Sequence, residues 1–288
     1  MDKIRVAPAY DSKYLEVERP SPLTDNKIEK LIKDILDGHW DYDITDKVYS
    51  DFRKECNDFI FGTTLNKLSG IEHFKNINII NGCTQFIDNL YMNGNPPQTI
   101  VGDYRYHQRL GRCIYYVEPG RLVRNLPLII AMPFPSTGNK HTHMTDILDE
   151  ALEKGVKVHI DGAWITTCRD IEFDFNHPAI DSVGISLSKG CGLGWNRIGL
   201  RYTRQQVTDS VTIMNDFHMN NRALAKIGLY FIRNLEPDYL WKTHGDKYYK
   251  VCRDFNLKPT KSVYLALRDI HPVGVSPLIR YLENEQHN

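Results

Sequence analysis

The sequence predicts an α/β protein with a mainly parallel seven-stranded sheet sandwiched by helices. Three observations predict it. Short apolar segments recur through the middle of the chain, several of them are continuous and β-branched, and a helical pattern separates two of them. Continuous apolar segments are typical of strands that are buried on both faces. Strands that alternate with helices favour a parallel sheet covered by helices.

The candidate strands and one crossover helix can be placed along the chain. The strands are residues 77–82, 98–104, 113–119, 127–134, 156–162, 181–188 and 198–203. Between the fourth and the fifth, the segment HMTDILDEALEKG places apolar residues from Met144 to Leu152 on one helical face. Gly155 stands where such a helix is expected to end.

The two ends of the chain differ from this central pattern. Residues 1–70 are polar, rich in tyrosine and partly helical, whereas residues 206–288 contain helical patterns and a strand-like segment at 262–269. A final helix is expected from about Ser276. We therefore expect residues 71–205 to form a large domain. An N-terminal arm and a shortened C-terminal part should combine into a smaller α+β domain.

Composition excludes several classes of protein. The 288 residues include 36 basic and 36 acidic side chains, so net charge gives no reason to expect a nucleic acid or a membrane surface as partner. The six cysteines are scattered without a CxxC pair, which argues against a disulfide framework or a structural zinc site. The start of the chain lacks the apolar core of a signal peptide, and no apolar segment approaches the roughly 20 residues that span a bilayer. We expect a cytoplasmic protein.

Polar residues follow several of the predicted strands. Asp103 and Tyr104 lie at the end of the second strand and Asp161 at the end of the fifth, and Ser188 ends the sixth just before Lys189. The first strand leads into the glycine turn NGCTQ and a probable helix. Because ligands of open α/β sheets bind outside the carboxyl ends of the strands, these groups should converge on one edge.

Nucleotide and metal sites have little support. The glycine-rich segment 190–199 does not fit G-x-G-x-x-G, and no G-x-x-x-x-G-K-[ST] phosphate loop occurs. His141 and His143 lie two residues apart in a polar turn without a clear third ligand. We expect no metal site.

The segment around Lys189 carries a resemblance to a known family. The pattern S-x-S-K-x-x-G-L-x-x-x-R-x-G is filled by Ser186, Ser188, Lys189, Gly192, Leu193, Arg197 and Gly199. It resembles the cofactor-lysine segment of fold-type I pyridoxal-phosphate (PLP) enzymes, especially class I/II aminotransferases. The segments NGCTQ, DYRYH, STG and DGAW continue the resemblance in the family's order over roughly residues 75–205. It implies that the large domain binds PLP.

The resemblance implies two catalytic residues. Lys189 would form a Schiff base with the cofactor and move the proton of the substrate's Cα. Asp161 would face the pyridine nitrogen and keep it protonated through a charge-assisted hydrogen bond. For an isolated lysine at a strand end, a solvated surface position is the alternative. For Asp161 the alternative is a turn or helix-capping aspartate.

The resemblance also implies a set of cofactor-binding residues. Glycine and hydroxyl groups at a helix N-terminus, with an arginine, would hold the phosphate. Tyr104 would stack on the ring, although a core or surface role for it is nearly as plausible. His107 could be a nearby proton-transfer group, but a hydrogen-bonded loop histidine is expected. The full set is Gly82, Cys83, Thr84, Tyr104, Asp161, Trp164, Ser186, Ser188, Lys189 and Arg197. For Thr84 the alternative is a simple helix cap, and for Arg197 a structural ion pair.

Some positions depart from the family's pattern. Pro135 stands where the family often has an asparagine, and Trp164 stands where a tyrosine is common. The C-terminal part is shorter than in typical aminotransferases. An arginine there would bind the substrate's carboxylate, and Arg268 and then Arg280 are the candidates. Either arginine would serve equally well as a solvated surface charge.

The resemblance implies an aminotransferase that moves an amino group between an amino acid and a 2-oxo acid. It also implies a homodimer. A decarboxylase, lyase or racemase with the same cofactor is the nearest alternative, because the same electron sink supports each reaction. A non-catalytic PLP-fold binding protein is a second alternative, and a structural α/β domain without cofactor is a third.

Overall fold

A computed structural model describes residues 22–38, 45–93, 96–104, 106–109, 116–135 and 137–285. The helices are α1 Asn26–Leu36, α2 Lys47–Phe61, α3 Gly82–Met92, α4 Tyr106–Arg109, α5 Met144–Glu153, α6 Leu187–Gly190, α7 Ser210–Asp216, α8 Arg222–Asn234, α9 Tyr239–Asp254 and α10 Ser276–Glu285. The strands are β1 Lys67–Ser69, β2 Asn76–Ile80, β3 Gln98–Ile100, β4 Tyr116–Val117, β5 Leu128–Ala131, β6 Val158–Asp161, β7 Glu172–Asp174, β8 Ile180–Ser186, β9 Gly199–Thr203, β10 Lys258–Pro259, β11 Leu265–Arg268 and β12 His271–Gly274.

The central sheet has seven strands in the order β2-β9-β8-β6-β5-β3-β4. Strands β8, β6, β5, β3 and β4 pair in parallel, and β9 is antiparallel to both of its neighbours. Strands β5 and β6 are buried along their whole length, as their continuous apolar sequences predict. The predicted fold class is confirmed. The crossover helix expected after His143 is α5, which ends before Gly155 at a positive φ of 65°.

Helix α3 crosses the sheet closely because of a glycine on β8. A Cβ atom at Gly184 would lie 2.5 Å from the ring of Phe86, so no other residue lets the helix approach to this distance. This contact holds the N-terminus of α3 beside the carboxyl end of β8. The approach therefore brings backbone N–H groups of the helix to the edge of the sheet where a ligand is expected.

Several predicted strands extend beyond the observed ones, and two of these differences bear on the site. The strand expected over 98–104 ends at Ile100, because Gly102 turns the chain with a φ of 87°. The strand expected over 181–188 ends at Ser186, whose side chain accepts a hydrogen bond from the N–H of Ser188 and caps α6. Lys189 therefore lies in a short helix rather than in a loop. Residues 113–115 of the third candidate strand lie outside the described residues.

The flanking segments contact each other across the chain. The hydroxyl of Tyr239 on α9 donates to Asp25, which caps α1, at 2.6 Å. The hydroxyl of Tyr230 on α8 donates to Asp34 at 3.1 Å. Strands β10, β11 and β12 form a small antiparallel sheet, and α10 begins at Ser276 as predicted. These contacts fit the expected pairing of the two flanks, and the domain boundaries remain a prediction.

Candidate active site at the carboxyl edge of the sheet

Strand register brings the predicted site residues to one edge of the sheet. Asp161 ends β6 beside Gly184 of β8, and Lys189 lies three residues beyond the end of β8. Gly199 at the start of β9 pairs with Ile80 on one side and with Ser186 on the other. The carboxyl ends of β2, β6 and β8 therefore share an edge with the segment that enters β9. Lys189 and Asp161 lie on the same side of the molecule.

Lys189 lies between two aromatic side chains. Its Nζ is 5.0 Å from the centre of the Trp164 ring, within the range of a cation–π contact. Tyr264 donates from its hydroxyl to the backbone carbonyl of Lys189 at 2.8 Å and packs its ring edge-on against Trp164 at 5.5 Å. Lys189 is half-buried, so its amine is partly shielded from water. A fully solvated lysine side chain would lack the contact with Trp164.

Asp161 is buried, and its carboxylate has three identified neighbours. One oxygen lies 2.9 Å from Nε2 of His107, and the other accepts a hydrogen bond from the N–H of Ala163 at 3.0 Å. The thiol of Cys83 also contacts it: burial and the charge of Asp161 raise the pKa of Cys83 well above its usual value. Asp161 is therefore a buried carboxylate at a strand end. It does not cap the short 3-10 segment that begins at Ile165, but its bond from the N–H of Ala163, two residues on, is that of a turn aspartate.

A cluster of hydroxyl groups and one guanidinium lies at the N-terminus of α3. Arg197 donates to the hydroxyl of Thr84, and the hydroxyl of Ser186 donates to that of Ser188 at 2.9 Å. Gly82, with φ of 70°, lies next to Arg197 and Ser186 in this cluster. A Cβ atom there would lie 3.2 Å from both Arg197 Nη2 and Ser186 Oγ, so glycine keeps this space open. Donors and a positive charge at a helix N-terminus form a site suited to a phosphate.

Tyr104 lies beside this edge. Its ring is stacked at 6.5 Å on Tyr106 and lies edge-on to His107 at 5.7 Å. The hydroxyl of Tyr106 donates to Asp88, and burial and this carboxylate raise the pKa of Tyr106 to about 12. Tyr104 is half-buried, which leaves part of its ring face to contact a ligand.

The other candidate residues lie elsewhere. Arg268 is exposed at the end of β11, opposite His271, in the three-stranded sheet and not in the central one. The STG turn faces the C-terminal part, because a Cβ atom at Gly138 would lie 2.5 Å from the hydroxyl of Thr260. Ser136 and Arg105 lie outside the described residues. His143 pairs with Asp146 on the surface, and no metal-binding group occurs among the residues that the structure describes.

Sequence reasoning undervalued His107 and missed Tyr264. His107 was expected to be a loop histidine, yet it is fully buried and contacts Asp161. The spacing of Asp103 and His107, four residues apart, was the available signal. Tyr264 had no signal, because it lies in an apolar strand-like segment and reaches Lys189 only through the fold. Within the described ranges no helix is both long and apolar enough to span a membrane.

Solved structures with this architecture give an independent comparison. A C-S lyase from Staphylococcus hominis, described as PLP-bound, matches with a TM-score of 0.62 at 11% identity, covering 98% of this chain and 96% of that one. Aspartate aminotransferase from Thermotoga maritima matches with a TM-score of 0.61 at 12% identity, covering 95% and 92%. This chain has their fold. The resemblance seen in the sequence is thus confirmed at the level of the fold.

A third match and two negative results complete the comparison. Histidinol-phosphate aminotransferase from Clostridium acetobutylicum matches with a TM-score of 0.55 at 12% identity, covering 92% of this chain and 98% of that one. No protein-family model matches the chain, and no curated protein matches its sequence. The likeness to these fold-type I structures therefore lies in the backbone far more than in the sequence.

Proposed function

We propose that the protein is a pyridoxal-phosphate enzyme that transfers an amino group between an amino acid and a 2-oxo acid. One observation carries the proposal: a half-buried amine and a buried carboxylate lie on neighbouring strand ends, beside a cluster of donors suited to a phosphate. When bound, PLP supplies a sink for the electrons left when a bond to the substrate's Cα breaks.

The residues at this edge fit the cofactor's chemical groups. Gly82 leaves open the space that a phosphate oxygen needs between Arg197 and Ser186, where any Cβ atom would intrude. Thr84, Ser188 and the N–H groups of α3 add donors to the same point. Asp161 is acceptor-only when ionised, which suits a protonated ring nitrogen. Lys189 Nζ is the primary amine for covalent attachment and the base that takes the Cα proton.

Trp164 and Tyr104 have supporting roles in this proposal. The Trp164 ring contacts the Lys189 amine, so that its indole shields the amine from water on one side. The half-buried ring of Tyr104 would stack on the cofactor, which adds about 0.5–1.5 kcal/mol beyond burial.

For the substrate's carboxylate we propose Arg280 in place of Arg268. Arg280 on α10 is half-buried, and its charge acts on the phenol of Tyr264, the same tyrosine that contacts Lys189. Burial lowers the pKa of Arg280, with Tyr264 and Glu29 opposing that effect. Arg280→Lys should raise KM for an amino acid about tenfold, because the bidentate contact is lost. The matched variant Arg268→Lys should leave KM unchanged.

The cofactor proposal is tested by trapping. Purified protein is mixed with PLP, reduced with borohydride, digested and mapped by mass spectrometry. We expect the cofactor's mass on the peptide that contains Lys189, and no labelled peptide from Lys189→Ala. Label on other lysines at equal yield in both proteins would contradict the proposal. The surface variant Lys157→Ala, whose lysine pairs with Asp181 on the surface, should label like the wild type.

The reaction is tested with isotopes. A ¹⁵N-labelled amino acid is incubated with a panel of 2-oxo acids, and transfer must yield a new labelled amino acid without release of CO₂. Elimination is a second candidate, because the C-S lyase match is as strong as the aminotransferase match, with TM-scores of 0.62 and 0.61. With water as co-reactant, it would instead convert a β-thio-substituted amino acid into a thiol, a 2-oxo acid and ammonia, so that the ¹⁵N label would leave as ammonia. Lack of either product with every substrate, despite trapped cofactor, would favour a non-catalytic PLP-binding protein.

The homodimer remains part of the proposal. It is supported by large apolar side chains left on the surface, among them Trp195, which is 98% exposed in the segment that leads from Lys189 to Arg197. Sedimentation at several concentrations should give twice the chain mass, and Trp195→Ser should weaken the association.

A further inference from the structure

A polar pocket lies at the edge of the central sheet opposite the candidate active site. Its volume is about 440 Å³, which is within the range of small-molecule sites. Asn76 at the start of β2 and Thr203 at the end of β9 pair with each other and both line it. Ile80, which pairs with Gly199 at the candidate active site, lies about 13 Å further along β2 at a rise of about 3.3 Å per residue. The pocket is therefore separate from the proposed cofactor site.

Arg53 on α2 lines this pocket as a cation without a counter-ion. It is half-buried, and among the residues that the structure describes it has no ion pair and no hydrogen bond. Burial lowers the pKa of its guanidinium. Arg201 and Arg233, by contrast, each donate to a carboxylate. Taking a cation out of water without a counter-ion is costly, so Arg53 retains the capacity to bind an anion.

Two deeply buried side chains add hydrogen-bond donors to the pocket. Asn78 on β2 and Thr212 on α7 both line it, and each is 8% exposed. Arg201 donates to Oδ1 of Asn78 at 2.8 Å and to the hydroxyl oxygen of Thr212 at 2.9 Å, so their acceptor atoms are already used. Nδ2 of Asn78 has no partner within the described ranges, and it reaches accessible space instead of being sealed in the core. Both residues therefore offer a donor and need an acceptor.

The open edge of β2 supplies a backbone donor. The side chain of Asn215 on α7 accepts from the N–H of Ile79 at 2.7 Å and donates to its carbonyl at 2.9 Å. Hydrogen bonds alternate along an antiparallel pair, so the backbone of Ile77, two residues earlier, faces the same outer edge. Ile77 also lines the pocket, so its N–H is a third donor there.

The charged side chains leave the pocket with an excess of positive charge. Lys75, exposed just before β2, adds a second cation to Arg53, and Asp216 on α7 adds one carboxylate. His218 also lines the pocket, but its Nδ1 already pairs with Asp46 at 2.8 Å. Two cations against one carboxylate favour an anionic ligand.

We propose that this pocket binds a small anion that carries a phosphate or carboxylate group. Arg53 presents a planar pair of donors to the anionic oxygens, and Lys75 adds a point charge. Asn78, Thr212 and the N–H of Ile77 donate to the remaining oxygens. No residue named for the cofactor site lines the pocket, so the proposal does not depend on the proposed function.

The test is a titration of ¹⁵N-labelled protein with anions, followed by NMR. Two signals report from the pocket: the Nε–H of Arg53, assigned by its loss in Arg53→Met, and the side-chain amide of Asn78, assigned by its loss in Asn78→Asp. Inorganic phosphate and citrate are the probes, and sodium chloride at equal ionic strength controls for screening. With at least one probe, both signals should shift and saturate with the same Kd, in the millimolar range or below. Chloride should give no saturation.

The two variants remove different donors. Asn78→Asp keeps an acceptor for Arg201 but replaces the donor with a negative charge, so the Kd read on Arg53 should rise by more than about tenfold. Arg53→Met removes the cation, and the Kd read on Asn78 should rise about tenfold. Arg233→Met, which removes an arginine that pairs with Glu55, should leave the Kd unchanged.

Arg197→Met separates the pocket from the proposed phosphate site. It removes the arginine beside Thr84 and should leave the Kd read on Arg53 and Asn78 unchanged. If Arg197→Met abolished the shifts and Arg53→Met did not, the anion would bind at the candidate active site and the proposal would be wrong.

The wild-type titration decides the proposal without any variant having to fold. Saturation by phosphate alone identifies a phosphate compound as the ligand, and saturation by citrate alone identifies a polycarboxylate. Shifts that do not saturate with either probe, or that chloride reproduces, would overturn the proposal. An unchanged Kd in folded Arg53→Met and Asn78→Asp would also overturn it. Failure of PLP to attach to Lys189 would count against the proposed function only.

Discussion

Two buried charged clusters lie on the same sheet, and they differ in how completely they are satisfied. Arg201 on β9 is 3% exposed and donates to both oxygens of Asp209, to Asn78 and to Thr212. Asp209 also accepts from the N–H of Thr212 at 2.8 Å and from Asn89 at 2.8 Å. In the cluster at the carboxyl edge, by contrast, Nδ1 of His107 makes no hydrogen bond and only faces a carboxylate oxygen of Asp103 at 3.5 Å. Lys189 and Arg197 lie nearby with partial exposure.

This difference in hydrogen bonding distinguishes a structural ion pair from a candidate ligand-binding site. A buried charge whose donors and acceptors are all used within the protein contributes to the fold and offers nothing to a ligand. A buried charge at the strand ends, with contacts left incomplete, retains capacity to bind or to move a proton. The two clusters therefore predict opposite results when they are changed.

The largest expected effect on stability comes from Arg201→Met. It leaves Asp209 buried without its counter-ion, so the free energy of unfolding should fall by about 3–5 kcal/mol. Urea denaturation measures this. Arg233→Met removes an equally well-formed pair with Glu55, but Arg233 is 46% exposed, and the loss should be about 0–1 kcal/mol. Equal losses in the two variants would remove the structural role assigned to the buried pair.

Asp161→Asn should affect activity more than stability, whereas Arg201→Met affects stability. The product-forming rate should fall by about 10²–10³-fold, as when one preorganised electrostatic group is removed, because a neutral amide does not hold the ring nitrogen protonated. Its unfolding free energy should change less than that of Arg201→Met. Asp209→Asn is the matched variant, and it should lower stability and leave kcat near the wild-type value. A kcat within twofold of wild type for Asp161→Asn would contradict the assignment.

The two clusters should also lose their contributions to stability at opposite ends of the pH scale. Burial acts to lower the pKa of His107, but the charge of Asp103 and the contacts with Asp161 outweigh it and raise the pKa to about 9. Its contribution to stability is therefore present below about 6.5 and is lost as pH rises through 9. The pKa of Asp209 is lowered: burial opposes this, but hydrogen bonds from Arg201 and Thr212 outweigh it. Its contribution is present above about 4 and is lost as pH falls through its folded-state value.

Urea unfolding across pH measures both effects in protein without PLP. His107→Gln should remove an alkaline loss on the order of 2–3 kcal/mol, and Asp209→Asn should flatten only the acid limb. If His107→Gln changed the acid limb instead, the two clusters would not be independent.

The smallest expected effect concerns Arg197. Arg197→Lys keeps the positive charge but removes the planar pair of donors, so affinity for PLP should fall about tenfold, equivalent to about 1.4 kcal/mol. Fluorescence titration measures the Kd. Arg233→Lys should bind PLP like the wild type. An unchanged Kd for Arg197→Lys would indicate that the hydroxyl groups and the N-terminus of α3 hold the phosphate without it.

The sequence predicted most of the sheet and only part of the site. The continuous apolar strands predicted at 127–134 and 156–162 are present, although shorter, as Leu128–Ala131 and Val158–Asp161, because burial on both faces leaves a strong local pattern. Boundaries at Ile100 and Ser186 were missed because a glycine turn and a side-chain cap end those strands. Lys189, Asp161 and Arg197 could be chosen because each lies in a recognisable motif. No motif distinguished Arg268 from Arg280, and only the folded hairpin of β11 and β12 shows where Arg268 lies.

The sequence by itself determined which polar residues stand at the strand ends, because each follows an apolar segment whose burial leaves the next polar residue at the edge of the sheet. Only the tertiary structure decided that His107 lies between Asp103 and Asp161, and that Tyr264 reaches Lys189. Those contacts join residues far apart in the chain. Their formation depends on strand order and register, which no local pattern records.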